Sequence, residues 1–161
     1  MSAGSNGNAP AVSRDVTLLA PQFRDAVQRA INECKEKGLD AFVFEAFRSD
    51  ELQRLYYARG RTIIPPPKPV TRARTNLESW HGYGLAVDVI HRTQFWSAPE
   101  SWFADVAKVF AKHECKWGGN WSFPDFPHFQ WGRCKPSPSQ AAMVLARSEG
   151  IEAVWRVVGA I

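Results

Sequence analysis

The chain has 161 residues, 45% of them hydrophobic and 22% charged, with a formal net charge of +4. That length supports one compact domain with its own core and is short for two, and no apolar run approaches the roughly 20 residues a membrane span requires. The positive balance favours anionic partners, but no dense Lys/Arg run accompanies it, which argues against nucleic-acid binding; the three cysteines, Cys34, Cys115 and Cys134, lack C-x-x-C spacing and argue against a disulfide framework or zinc ribbon.

Residues 1–14 are dominated by Gly, Ser, Asn and Ala and read as a flexible tail, with a single domain expected over 15–161. The start lacks both the basic flank and the apolar centre of a secretory signal, so the chain is expected to remain in the cytoplasm after synthesis. From Pro21, the apolar positions Phe23, Val27, Ala30, Ile31 and Cys34 recur at helical spacing until Gly38. Residues 41–48 then favour a strand, with Phe42, Phe44, Ala46 and Arg48 on one face. Ser49 is a suitable N-cap for a short helix carrying Leu52, Leu55 and Tyr56, which Gly60 ends.

Between Gly60 and Ser79, clustered prolines and arginines predict a long surface loop, and loops of that length usually serve a site or are disordered. Residues 85–90 read as a strand in which Asp88 is the polar exception. Ser97, Pro99 and Glu100 form a capping-box pattern ahead of a helix bearing Trp102, Phe103, Val106, Val109 and Phe110. Gly118 and Gly119 break the chain before a strand over 125–131, and the segment from Ser137 to Gln140 opens a C-terminal helical region that Gly150 interrupts. Its apolar stripe of Ile151, Val154, Trp155, Val157 and Val158 is expected to pack back on the domain. Interspersed helices and few short strands predict an α+β fold with a small, mainly antiparallel sheet.

His81 and Asp88 flank Gly82-Tyr83-Gly84, a segment able to turn the chain so that both side chains meet one metal. A catalytic zinc takes three protein ligands, and His128, inside the aromatic segment PDFPHFQW, is the best third candidate. An isolated histidine is more often a surface or satisfied core residue, and His91 and His113 are read that way; His113 with Cys115 is a weaker competing pair.

The pattern Ser79-x-His81-x-x-Gly84-x-Ala86-x-Asp88 resembles the S-x-H-x-x-G-x-A-x-D signature of the zinc D-Ala-D-Ala metallopeptidase family. Asp125-x-Pro127-His128-Phe129 is similar to the D-x-P-H-F segment of that family's L-alanyl-D-glutamate endopeptidase branch, and Phe47-Arg48-Ser49 with Glu51 and Gln53 to its arginine-bearing segment. The resemblance implies the D-Ala-D-Ala metallopeptidase fold, with Zn²⁺ held by His81, Asp88 and His128 and with Asp125 as general base. It also implies that Arg48 binds substrate or stabilises an oxyanion, and that Gln53 contacts substrate. Ser79 either contacts substrate or caps the histidine turn.

The expected substrate is the peptide stem of peptidoglycan, cut between L-alanine and D-glutamate by a monomeric phage endolysin without stable membrane insertion. Such a protein would meet the wall after the membrane is permeabilised. Removal of terminal D-alanine by a D-alanyl-D-alanine carboxypeptidase or dipeptidase is the alternative enzyme, and a zinc-stabilised wall-binding module without catalysis is the alternative of another class.

Overall fold

Four short runs of β-branched and aromatic residues build the sheet that carries the site, in a computed structural model describing residues 10–161. They are β1 (Ala41–Glu45), β2 (Ala86–His91), β3 (Cys115–Trp117) and β4 (His128–Trp131), all antiparallel in the order β1-β2-β4-β3. Around them lie α1 (Pro21–Glu36), α2 (Asp50–Ala58), α3 (Glu100–Lys112), α4 (Gln140–Glu149) and α5 (Ile151–Val157). The expected α+β class with a small antiparallel sheet is the observed one.

Because strand side chains alternate, one sheet face sends Val87, Val89 and Phe129 into a core shared with Phe23, Val27 and Ala30 of α1 and Val106 and Phe110 of α3. Phe110 and Phe129 meet with ring centroids 4.4 Å apart. The opposite face carries Asp88, His128 and Gln130, so the same short strands serve the core and a polar site.

Several boundaries differ from the sequence expectation. Strand β1 stops at Glu45 instead of reaching residue 48: its register with β2 shifts between Val43 and Glu45, as a bulge would make it do. The shift places Glu45, rather than Phe44, opposite Asp88. The Ala46 N–H donates to the Ser13 carbonyl at 2.7 Å, and Arg14 Nε donates to the Phe44 carbonyl at 3.1 Å. Ser13 and Arg14 are therefore attached to β1 rather than part of a free tail; residues 1–9 of that expected tail lie outside the described residues.

The capping box at Ser97 is not formed, because Pro99 occupies the N-cap and Ser97 is engaged in a turn, its N–H donating to Gln94. Asp125 to Pro127 precede β4 as a turn, closed by the His128 N–H on the Asp125 carbonyl at 3.2 Å. At the C-terminal end, Ser139 caps α4. The helical stripe packs back except for Val157, which is exposed: Val154 is buried, Trp155 Nε1 donates to the Tyr83 carbonyl at 2.6 Å, and Trp131 Nε1 donates to the Val158 carbonyl at 2.7 Å. Among the described residues no helix is long and apolar enough to cross a membrane.

Candidate metal centre

The sheet register does much of the assembly. Across β1, β2 and β4, Glu45 is the partner of Asp88 and Asp88 the partner of His128, which sets three polar side chains in one row. His81 reaches the row from a 3-10 turn, Trp80–Tyr83. Ser79 starts that turn by accepting the His81 N–H at 3.3 Å, and Gly84 ends it at φ 68°, a left-handed conformation that glycine adopts without a side-chain penalty. The turn is clamped to the segment after β1 by two bonds: the Arg48 N–H donates to the His81 carbonyl at 3.0 Å, and His81 Nδ1 meets the Ala46 carbonyl at 3.0 Å.

One ligand atom from each of His81, Asp88 and His128 lies within 4.8 Å of the others. His81 Nε2 is 3.3 Å and His128 Nδ1 3.8 Å from Asp88 Oδ1. A carbonyl can only accept, so His81 Nδ1 carries its proton toward Ala46 and leaves Nε2 free. Gln130 Nε2 donates to the Lys135 carbonyl at 2.9 Å, which turns Gln130 Oε1 toward His128 Nε2 at 2.8 Å. His128 therefore donates from Nε2 and presents Nδ1 to the centre. Such outer partners fix tautomer and ring orientation in metal sites.

The electrostatics match this donor set. Burial, then the neighbouring His81, depress the His128 imidazole to about 4, so it is neutral near pH 7. Burial opposes ionisation of Asp88, but His81, His128 and Arg48 outweigh it and hold the carboxyl well below the ordinary range. Two imidazole nitrogens and one carboxylate oxygen converge on a solvent-open cleft, the three-ligand pattern that leaves a catalytic zinc an open position.

Arg48 is 8% exposed and more constrained than its proposed role requires. Its Nε and Nη2 both donate to Glu45 Oε1, the Nε bond measuring 2.5 Å, and Nη1 donates to Gln53 Oε1 at 2.8 Å. Nη2 is also 3.7 Å from Asp88 Oδ2. Tyr56 donates its hydroxyl to Glu45 Oε2 at 2.9 Å. Burial, then the Glu45 charge, push the Tyr56 phenol above its ordinary value. Gln53, expected to touch substrate, is 0% exposed and also donates to the Ala73 carbonyl at 2.8 Å. It holds Arg48 and keeps no surface for a ligand.

Asp125 lines the same cleft, of about 1480 Å³, with Ser79, His81, Asp88 and His128. Its backbone N–H donates to the Gly118 carbonyl at 3.0 Å. The residue is exposed to solvent, yet partial desolvation by the surrounding protein, then the charge of Asp88, raise its carboxyl to about 6. The weaker pair does not converge as ligands: His113 Nε2 is 3.1 Å from Glu33 Oε1, while the buried Cys115 thiol, raised to about 12 by desolvation, donates to the His113 carbonyl at 3.4 Å. Trp80, Tyr83 and Trp131 are all buried, and of the three only Trp80 borders the cleft.

Sequence reasoning missed Glu45, Tyr56 and Gln130. Glu45 had a signal, a lone carboxylate inside AFVFEAF, comparable to that of Asp88. Gln130 had the two-residue spacing from His128 that puts both on one strand face.

Three donors of this kind, lining one cleft with a nearby carboxylate, fit a metal-dependent hydrolase. Comparison with known proteins narrows the class. The family described as D-alanyl-D-alanine carboxypeptidase matches residues 72–131. The peptidoglycan L-alanyl-D-glutamate endopeptidase CwlK of Bacillus subtilis (strain 168) is 31% identical over 131 residues, spanning 74% of this chain and 75% of that protein. The chain belongs to the zinc D-Ala-D-Ala metallopeptidase family, and its cofactor is zinc. Two solved structures share the fold: the L-Ala D-Glu endopeptidase ChiX of Serratia marcescens (TM-score 0.55, 20% identity, 79% of this chain and 95% of that one) and the LD-carboxypeptidase LdcB (TM-score 0.56, 16% identity, 91% and 75%).

Proposed function

We propose that this zinc peptidase cleaves the L-alanyl-D-glutamate bond of the peptidoglycan stem, with His81, Asp88 and His128 holding the metal and Asp125 as general base. The observation that carries the reading is the convergence of His81, Asp88 and His128 in a cleft that Asp125 also lines. The relationship to CwlK favours the endopeptidase over the carboxypeptidase.

Zinc, when bound, supplies the Lewis acidity that makes water nucleophilic near neutral pH. Asp125 takes the attacking water's proton on its carboxylate and returns it to the departing amine nitrogen, as general acid-base catalysis requires. A carboxyl raised to about 6 is largely ionised near pH 7 and still basic enough for that transfer. Arg48, fixed by Glu45 and Gln53, adds positive charge beside Asp88 on the cleft wall, where it would favour negative charge developing on the carbonyl oxygen. Ser79 holds the His81 turn through its cap and also borders the cleft.

A lytic role as a phage endolysin is the finer form of the proposal, and the net charge of +4 would aid adsorption to an anionic wall. Mass spectrometry of digested muropeptides tests the bond cut. Free N-terminal D-glutamate is expected, whereas loss of terminal D-alanine alone would assign the carboxypeptidase activity instead. Lysis of cells whose inner membrane has been opened tests the biological role.

A further inference from the structure

The cleft carries more cationic charge than the metal centre uses. Arg48, Arg59, Arg61 and Arg72 all line it. Arg48 is spent on Glu45 and Gln53. Arg61 donates to the carbonyls of Tyr57 at 2.7 Å and Thr71 at 3.0 Å, with its guanidinium 3.7 Å from the Tyr57 ring centroid. Those two bonds tie the end of α2 to residue 71, so the long loop returns to the wall from which it departs.

Arg59 and Arg72 flank this tie, and each has an aromatic ring where the other two have protein acceptors. The Arg59 guanidinium is 5.4 Å from the Tyr56 ring centroid, and that of Arg72 is 5.0 Å from the Phe123 centroid. Neither side chain forms a hydrogen bond or ion pair with another described residue, whereas Glu78, the one acid of that loop, is held by Arg74 at 3.1 Å. A guanidinium beside a ring keeps its planar set of N–H donors available, and that fork matches a carboxylate in a bidentate pair. Phe123 lies two residues before Asp125, so Arg72 is drawn to the loop bearing the proposed base.

We infer that Arg59 and Arg72 form a carboxylate-reading subsite, which selects stem peptides with free rather than amidated carboxylates. The inference rests on the peptidase reading above. A γ-linked D-glutamyl residue carries such a group on its α-carbon, next to the bond proposed to be cut.

Calorimetric titration of the zinc-loaded protein tests it in an Asp125→Asn background, which keeps the peptides intact. Two soluble stem peptides are compared, identical except that the D-glutamyl α-carboxyl and the C-terminal carboxyl are free in one and carboxamides in the other. The free-acid peptide is expected to bind roughly tenfold more tightly. Adding Arg59→Gln and Arg72→Gln should bring both peptides to the weaker affinity, and Arg72→Lys, with charge but no fork, should lose most of the preference. Equal affinities without the arginine substitutions, or a preference that survives the double substitution, would overturn the subsite. Cleavage of the free-acid peptide by the unsubstituted enzyme reports separately: absent turnover sinks the endopeptidase reading, while the ratio of affinities still decides the subsite.

Discussion

His81 and His128 present opposite ring nitrogens to the same point, and each choice follows from one acceptor, the Ala46 carbonyl for His81 and Gln130 Oε1 for His128. Asp125 differs from both in facing no ligand atom within hydrogen-bond reach, which suits a base rather than a ligand. Asp125→Asn should lower kcat by roughly 10²–10⁴-fold with bound zinc unchanged by metal analysis; zinc lost in parallel would make Asp125 a ligand. The pH dependence follows from its raised carboxyl. Activity requires the ionised form, so kcat/KM should fall on the acid side with an apparent value at or below about 6, because a bound cation pulls the carboxyl downward from there. In metal-free protein the sign for stability is opposite to that of a paired carboxylate. The folded state holds this proton more tightly than the unfolded chain, so its contribution is fullest below pH 3.8 and is lost as pH rises through about 6. Urea titrations of the metal-free wild type and Asp125→Asn across that window should diverge accordingly.

At the level of elements, the 3-10 turn bearing His81 depends on how closely two backbones approach. A Cβ built on Gly82 would lie 2.0 Å from the Asn76 carbonyl oxygen, and one on Gly84 2.7 Å from the Leu18 carbonyl oxygen. Neither neighbour is a flexible side-chain tip, so the backbone itself must move. Gly82→Ala is expected to cost on the order of 1–3 kcal/mol by overpacking and to displace His81, weakening zinc binding together with thermal stability. Unchanged zinc affinity in a destabilised Gly82→Ala protein would separate the turn from the metal centre. The bulge in β1 acts on the same scale, since the register shift between Val43 and Glu45 is what aligns Glu45 with Asp88 and gives Arg48 its anchor.

Across the whole molecule, a metal held by the turn, β2 and β4 would join segments distant in sequence. A ligand that binds only the folded state stabilises it by about 2.7 kcal/mol at 100 times its Kd, which for a chain of this size corresponds to a melting shift of roughly 5–10 °C. Chelation should lower Tm by about that amount and zinc should restore it, whereas His128→Ala should melt at one temperature with or without chelator. The helices with strong apolar spacing were legible in the chain, as were Asp88 and His128 as polar exceptions in apolar strands. Strand β3 was not, because three residues carry too little periodicity, and neither was the end of β1, because a bulge is set by the partner strand. The sequence by itself determined the fold class, the family and the residue types able to bind zinc, since these follow from local spacing and short motifs. Only the tertiary structure decided which ring nitrogen each histidine offers, that Gln53 is buried behind Arg48, and that Arg59 and Arg72 meet no acceptor among the described residues, because those depend on hydrogen-bond partners from distant segments.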